Sequence, residues 1–160
     1  MEKEVNDFLK NNNIKYKVYT HKPVFTVKDS KTHCKDIPGF RCKNLFLKSE
    51  DKFYLVILNG DKRLDIRGLA KMLKVRDLNF GSEEQLMKYL HLTPGSVSPL
   101  GLMNDTEKKV IPIVDQEAWD ARSINFHPNI NTETISVNKK YFNSLMKKFN
   151  AKILKLPTLD

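Results

Sequence analysis

The sequence predicts a mixed α/β domain, and three observations lead to that prediction. Helical and strand-like hydrophobic patterns alternate along the chain, with no internal repeat and no Gly/Ser-rich or Pro-rich linker. The length of 160 residues is that of one hydrophobic core. The composition, 40% hydrophobic and 29% charged, is typical of a globular protein rather than a disordered or fibrous chain. We therefore expect one domain that covers residues 1–160.

The first part of the chain is predicted to form a helix, a strand and a second helix. Apolar residues recur at helical spacing within 5–9, and they alternate with polar residues over 14–19, as in a strand with one exposed face. Thr26 followed by Asp29 is typical of a capped helix start, in which side chains bond the unpaired N–H groups. This second helix is expected to run towards Cys34.

A central hairpin is predicted next, because the apolar runs 44–47 and 53–58 flank a polar stretch. Two capped helices follow it. Asp65 precedes the first, with apolar residues on one face of 66–73, and Ser82 precedes the second, which runs to about residue 90.

The last part of the chain alternates turns, short strands and a final helix. A turn-rich stretch, PGSVSPLG, occupies 94–101, and strands are predicted near 110–114, 123–126 and 134–137. A helix beginning at Asn138 carries apolar residues at spacings that fit packing on a sheet.

The charge of the chain is strongly positive. Twenty-eight Lys and Arg against nineteen Asp and Glu give a formal charge of +9, which would attract a polyanion such as nucleic acid. The alternative is that these are ordinary solvated lysines, because a binding surface requires clustering rather than a total. No apolar run approaches the roughly 18 to 20 residues that span a bilayer, so we expect a cytoplasmic protein without a membrane partner.

Common catalytic signatures are absent. There is no GxSxG, HExxH, GxxxxGK[ST] or GxGxxG motif, and the scattered histidines have no metal-ligand spacing. The two cysteines, Cys34 and Cys42, have no CxxC spacing, which favours free thiols. We therefore predict neither a metal nor a disulfide.

Three segments remain as candidates for chemistry: 41–47 with Lys43, the loop 95–99, and the triplet of Phe126, His127 and Pro128. Each alone is usually structural: a solvated strand end, a turn, and a histidine before proline. Together with HKPVFTVKDS from residue 21, KNLFLK at 43–48, TPGSVSPLGL at 93–102, IVD ending at Asp115 and INFHPNINTETISV at 124–137, they resemble the editing-domain family of prolyl-tRNA synthetase. The resemblance covers nearly the whole chain, and it is strongest to freestanding members that remove alanine from proline tRNA.

This resemblance implies a curved mixed β-sheet with flanking helices, and hydrolysis of an aminoacyl ester without metal or cofactor. An activated ester needs a positioned water and donors for the developing oxyanion more than it needs a covalent nucleophile. The resemblance places these catalytic functions in Lys43, in His127 and in the loop Gly95, Ser96, Val97, Ser98 and Pro99. Lys43 could hold ribose or phosphate oxygens or act as a base, and His127 could shape the amino-acid pocket or accept a proton.

A small pocket is expected to admit alanine and to exclude proline. A binding site made for proline rejects alanine poorly, since a missing methylene is worth only about 1–3 kcal/mol. Val24, Phe25 and Val97 are the predicted apolar lining. The resemblance adds Thr26, Asn44 and Asp115 as substrate-binding positions, although Thr26 and Asp115 could equally be structural.

The tRNA acceptor end is the expected partner, and docking on prolyl-tRNA synthetase is left open. Basic residues of the predicted second and third helices and their flanks would contact the acceptor-stem phosphates: Lys28, Lys31, Lys35, Arg41, Arg67, Lys71, Lys74 and Arg76.

The predicted function is trans-editing deacylation of mischarged tRNA(Pro), with alanine as the amino acid. Two alternatives stay open: a deacylase for cysteine or another small amino acid, and a non-catalytic tRNA-binding module of the same fold.

Overall fold

The computed structural model describes residues 1–160 and contains six α-helices and ten strands. The helices are α1 (Lys3–Asn11), α2 (Val27–His33), α3 (Ile66–Leu73), α4 (Glu83–Leu90), α5 (Gln116–Asp120) and α6 (Lys139–Lys148). The strands are β1 (Lys17–Thr20), β2 (Phe40–Ser49), β3 (Lys52–Asn59), β4 (Arg63–Leu64), β5 (Asn79–Phe80), β6 (Val110–Asp115), β7 (Ser123–Phe126), β8 (Glu133–Asn138), β9 (Lys152–Leu154) and β10 (Thr158–Leu159). Two short 3₁₀ helices, Pro94–Ser96 and Pro99–Asn104, form the turn-rich stretch.

The architecture is the predicted mixed α/β fold. Seven strands lie in the order β1-β8-β7-β2-β3-β6-β9, and β5 adds to β2 as an eighth; β4 pairs with β10 outside this sheet. The sheet is mixed, since β2 pairs antiparallel with β3 but parallel with β7, and β6 runs parallel to both β3 and β9. The expected hairpin is therefore confirmed as β2 and β3.

Helices cover both faces of the sheet. Alternate residues of β3 enter different clusters: Phe53, Leu55 and Ile57 pack with residues of α1, α4 and α6, whereas Tyr54 and Val56 pack with residues of α3. Because successive strand residues point to opposite faces, β3 is buried on both. None of the helices is both long and apolar enough to cross a membrane.

One edge of β2 is left partly open. β3 occupies one edge of β2 from Cys42 to Ser49. On the opposite edge, β7 pairs only at Phe40 and Arg41, and β5 pairs only at Leu47 and Lys48. Residues 42–46 of β2 therefore face a gap between β7 and β5, about 16 Å long at the usual rise of a strand.

The predicted helix starts agree with the structure. Thr26 accepts a hydrogen bond from the Asp29 N–H, Asp65 accepts from the Gly68 N–H, and Ser82 forms a full capping box with Gln85.

Two details of the predicted pattern were wrong. The first strand, predicted over 14–19, begins only at Lys17 and pairs solely with β8 at the edge of the sheet, so Val18 is exposed rather than buried. On α3, Leu69 is buried but Met72 is exposed, because the helix is held against the sheet by only part of its predicted apolar face.

Candidate active site

A cavity of about 150 Å³ lies at the gap in β2, where five segments of the chain meet. They are the segment that enters α2, the first half of β2, the residue that follows β3, the loop around Gly95, and the residue that follows β7. Nine residues predicted from the sequence line this cavity: Val24, Phe25, Thr26, Arg41, Lys43, Asn44, Gly95, Val97 and His127. Residues more than 80 positions apart in sequence are thus brought together by the fold.

The segment before α2 forms one wall. The Val24 N–H donates to the Asn131 carbonyl at 3.0 Å, which fixes this segment beside the loop that leads to β8. Thr26 caps α2, and the Asp29 carboxylate accepts from the Phe25 N–H at 3.1 Å. Val24 is buried, whereas Phe25 is 69% exposed and lies at the mouth of the cavity.

Lys43 comes from the middle of the open edge of β2, where it is paired with Leu58 of β3 on the other side. Its side chain is half-buried, and burial lowers the pKa of Lys43 from its ordinary value; the charge of Asp61 opposes that shift and that of Arg63 adds to it. Lys43 makes no ion pair within the 4 Å limit that defines one. An unpaired ammonium at a cavity wall is suited to hold an anionic or oxygen-rich ligand group.

Asn44, the next residue, points to the opposite face of the sheet. Its Nδ2 donates to the Val97 carbonyl at 3.4 Å, which ties β2 to the Gly95 loop. Its Oδ1 is buried and has no hydrogen-bond partner. Buried acceptors are nearly always paired, and an unpaired one costs about 1–3 kcal/mol. Asn44 therefore presents an acceptor that a bound donor would satisfy.

The loop supplies a main-chain donor at Gly95. In the 3₁₀ turn the first N–H used is that of Ser96, which donates to the Thr93 carbonyl at 2.9 Å. Pro94 has no N–H, so the Gly95 N–H precedes the first intrahelical bond and has no acceptor within the turn. Gly95 lines the cavity, and its φ is not in the left-handed region. An added Cβ would lie 3.4 Å from Phe25 Cδ1, an ordinary van der Waals contact, so the predicted need for glycine at this position stays a prediction.

The remaining loop residues do not all line the cavity. Val97 does, but Ser96, Ser98 and Pro99 are buried beneath it. The Ser98 hydroxyl accepts from the Leu100 N–H at 3.1 Å and so caps the second 3₁₀ helix. The predicted catalytic set is corrected here: these three residues shape the loop from behind.

His127 is held in one tautomer by its neighbours. Its Nδ1 lies 2.9 Å from the Glu133 carbonyl oxygen, which can only accept, so Nδ1 carries the proton and Nε2 has a free lone pair. Burial lowers the pKa of His127; the bond to Glu133 opposes this shift and nearby His21 adds to it. The ring is therefore a neutral acceptor at neutral pH.

Thr134 and His21 support this arrangement. His21 Nδ1 lies 2.8 Å from the Lys22 carbonyl, and His21 Nε2 lies 2.8 Å from Thr134 Oγ1, which is 3.5 Å from His127 Nδ1. Neither Thr134 nor His21 was predicted for this role, and the contact between them joins residues 113 positions apart.

Asp115 lies outside the cavity, contrary to the substrate-binding role that the resemblance implied. It is buried at the end of β6, where Oδ1 accepts from the Leu156 N–H at 2.9 Å. Its carboxylate holds the C-terminal segment to the sheet, which is the structural alternative left open above.

Five lining residues were not predicted: Val27, Ser30, Cys42, Gly60 and Pro94. Cys42 is a free thiol whose Sγ donates to the Asn125 carbonyl at 3.2 Å, and burial raises its pKa to about 12. A protonated, hydrogen-bonded thiol is a poor nucleophile. The structure brings no three His, Cys, Asp or Glu residues together as metal ligands.

The predicted basic surface is divided by ion pairs. Lys31 and Arg41 both contact Asp61, so their charge is partly neutralised. Lys35, on the α2 side, and Arg67, Lys71 and Arg76, on and after α3, are exposed and outside these pairs.

Comparison with known proteins identifies the family. The aminoacyl-tRNA editing domain family matches residues 21–145. The chain is 31% identical to the "Prolyl-tRNA editing protein ProX" of Acetoanaerobium sticklandii over 84% of this chain and 83% of that one. It is 33% identical to the "Prolyl-tRNA synthetase associated domain-containing protein 1" of Danio rerio over 86% of this chain and 76% of that one.

The fold agrees with this assignment. A crystal structure described as a candidate trans-editing enzyme for prolyl-tRNA synthetase superposes with a TM-score of 0.74 at 16% identity, over 98% of both chains. The chain belongs to the aminoacyl-tRNA editing domain family, the family of enzymes that hydrolyse wrongly formed aminoacyl-tRNA esters.

Proposed function

We propose that this protein acts in trans on mischarged tRNA(Pro) and hydrolyses the ester that joins alanine to its 3′ end. The observation that carries the proposal is the convergence of Lys43, Asn44, Gly95 and His127 on one small cavity. The tRNA assignment is supported by the names of the two relatives, which refer to prolyl-tRNA editing and to prolyl-tRNA synthetase.

The four groups match what ester hydrolysis requires. Water adds to the carbonyl carbon and the carbonyl oxygen becomes an oxyanion, which the Gly95 N–H can stabilise; one such donor is typically worth about 3 kcal/mol. The intermediate collapses as the bond to the ribose oxygen breaks, and that oxygen takes a proton. The alanyl carboxylate and the free tRNA end are then released.

Two acceptors would bind the aminoacyl group, and one cation would bind the terminal nucleotide. The unpaired Asn44 Oδ1 is suited to accept from the α-ammonium group. His127 Nε2 is a second acceptor, for the ammonium or for the attacking water. Lys43 would hold ribose or phosphate oxygens of the terminal nucleotide, a role for which its charge is kept unpaired.

The cavity size favours a small amino acid. A volume of about 150 Å³ lies below the roughly 300–1,000 Å³ of sites that hold drug-sized ligands. We expect Val24 and Val97 to lie beside the methyl group, and exclusion of the larger proline ring is the part of the proposal that the prolyl ester tests.

A single-turnover deacylation panel tests the proposal. Alanyl, cysteinyl, seryl and prolyl esters of tRNA(Pro) are incubated with excess protein, and we expect the alanyl ester to disappear fastest and the prolyl ester to persist. If the cysteinyl or seryl ester disappears faster, that amino acid and not alanine is the substrate. Absence of turnover on all four would favour the non-catalytic tRNA-binding module.

Lys43→Ala separates catalysis from binding, with Lys52→Ala as the matched control. Lys52 is an exposed lysine at the start of β3, away from the cavity. We expect Lys43→Ala to lower the deacylation rate by at least about tenfold while overall tRNA affinity falls only slightly, since one phosphate contact among many is lost. If Lys43→Ala and Lys52→Ala deacylate the substrate at equal rates, Lys43 has no role in catalysis.

A further inference from the structure

A second, larger concavity of about 560 Å³ adjoins the cavity, and Lys43 lines both. It opens on the α3 face of the sheet. Its walls come from β2, from the start of α3 and from the short strands β4, β5 and β10. The residues that matter for its chemistry are Lys43, Arg63, Arg67, Phe80 and Leu159. We call this surface the Phe80 groove.

Phe80 stands on the groove because of strand pairing. It is directly opposite Leu47 on β2, so its side chain lies on the same face as those of Leu47, Leu45 and Lys43. The next residue is held tightly: a Cβ on Gly81 would come within 2.3 Å of the Phe46 ring on the other face. The main chain therefore fixes the direction of Phe80, and yet its ring is 60% exposed. Leu159, 45% exposed, lines the same groove, so two exposed apolar side chains lie on one concave surface.

The charge of the groove is positive. Asp65 is the one acidic residue that lines the groove with Lys43, Arg63 and Arg67, and its Oδ1 already accepts from the Gly68 N–H. Outside the groove, the charge of Asp61 also acts on Lys43. None of the three cations forms an ion pair. Free cations around an exposed aromatic ring are the combination that binds unpaired nucleotides, because phosphates meet the cations and a base stacks on the ring. A double-stranded segment would not offer a base face for stacking.

We propose that the Phe80 groove binds the unpaired nucleotides of the tRNA 3′ end that precede the aminoacylated one, with one base stacked on Phe80 and the phosphates on Arg63 and Arg67. The inference rests on the proposed function, which places the terminal ester in the adjoining cavity. Leu47, the residue opposite Phe80, lies four positions after Lys43 on β2, about 13 Å away at the rise of a strand. That distance corresponds to about four stacked nucleotides at roughly 3.4 Å each, or to fewer in an extended strand.

The test compares two uncharged tRNA(Pro) molecules, one intact and one that lacks its unpaired 3′ nucleotides. Binding is measured by fluorescence anisotropy for wild type, Phe80→Ala and Met87→Ala. Met87 is a matched control because it is an apolar side chain on α4, 48% exposed and outside the groove. We expect Phe80→Ala to weaken binding of intact tRNA about tenfold, to leave binding of the shortened tRNA unchanged, and Met87→Ala to change neither.

Three further variants test the stacking and the phosphate contacts directly. Phe80→Trp should retain its affinity for intact tRNA. The fluorescence of the introduced tryptophan should be quenched by intact tRNA but not by the shortened tRNA. Arg63→Gln and Arg67→Gln should each lower the salt dependence of binding by about one phosphate contact.

The outcomes separate this proposal from the proposed function. The small substrate 3′-O-alanyl-adenosine reaches only the cavity. Its rate of hydrolysis should therefore be the same for Phe80→Ala and wild type. If wild type hydrolyses alanyl-tRNA(Pro) but Phe80→Ala binds intact tRNA as tightly as wild type does, the proposed role of the Phe80 groove is wrong and the proposed function stands. An equal loss on both tRNAs, or a loss only in binding to prolyl-tRNA synthetase, would likewise overturn it. A wild type that hydrolyses neither substrate would overturn the proposed function instead.

Discussion

Replacement of Asn44 by alanine should reduce activity without reducing stability, which is an unusual combination for a half-buried residue. In the free protein the side chain contributes two long hydrogen bonds, from Nδ2 to the Val97 carbonyl at 3.4 Å and to Cys42 Sγ at 4.0 Å, and it leaves Oδ1 buried without a partner. At these lengths the two bonds together are worth at most about 0.5–1.5 kcal/mol, and the unpaired acceptor costs about 1–3 kcal/mol. The two effects have opposite signs, so the free energy of unfolding should stay the same or rise by about 1 kcal/mol.

The effect of Asn44→Ala on catalysis should be a loss, with no opposing gain. If Oδ1 accepts from the α-ammonium of the substrate, Asn44→Ala removes a hydrogen bond to a charged group, worth about 1.5–3 kcal/mol. That is a loss of about tenfold to a hundredfold in kcat/KM. A gain of 1 kcal/mol in stability would raise Tm by about 2–4 °C for a chain of this length.

The assay pairs single-turnover deacylation of alanyl-tRNA(Pro) with thermal unfolding of the same samples. Asn143→Ala is the matched control, because Asn143 Oδ1 on α6 is also buried without a partner but lies outside the cavity. It should show a similar change in Tm and unchanged activity. A fall in Tm for Asn44→Ala that accounts for its lost activity, or full activity with a raised Tm, would refute the assigned role.

The remaining predictions concern His127 and Gly95. Because burial lowers the folded-state pKa of His127 below its ordinary value of about 6.5, the unfolded chain takes up the proton first, so this residue lowers the free energy of unfolding as the pH falls below about 6.5 and has no such effect above it. Urea unfolding at about pH 7.5 and pH 5.5 should therefore show a shallower pH dependence for His127→Gln than for wild type, and equal slopes would contradict a buried neutral ring. Gly95→Ala places a methyl group 3.4 Å from Phe25 Cδ1 and narrows the cavity without backbone strain, so deacylation should fall by about tenfold or more at nearly constant Tm; a variant with normal kinetics would show that the substrate does not pass between these residues.

The elements that the sequence predicts well are those whose signals are local. The caps at Thr26, Asp65 and Ser82 each involve residues three positions apart, and the β2–β3 hairpin joins two apolar runs that are neighbours in the chain. In contrast, β4 and β5 contain two residues each, too few to show a period. Their pairing depends on the packing of segments that are distant in the chain, and a local sequence pattern cannot predict that packing.

The same limit applies to the candidate site. Its identity could be predicted only through motif order, and the structure then brought nine of the predicted residues to one cavity. The partners of His127 could not be found in this way, because Thr134 reaches it through the pairing of β7 with β8 and His21 through the pairing of β1 with β8. The position of Asp115 was misjudged for a related reason: its carboxylate bonds a main-chain N–H 41 residues later.

The open edge of β2 explains how two consecutive residues can serve one site. In a fully paired strand, Lys43 and Asn44 would project into opposite layers and be separated by the sheet. The gap between β7 and β5 removes that separation at residues 42–46, so both line the same cavity. The parallel register of β7, which places Asn125 opposite Arg41, brings His127 out beside Lys43 as β7 ends. Filling the gap by extending either strand would therefore abolish the site without changing any of its side chains.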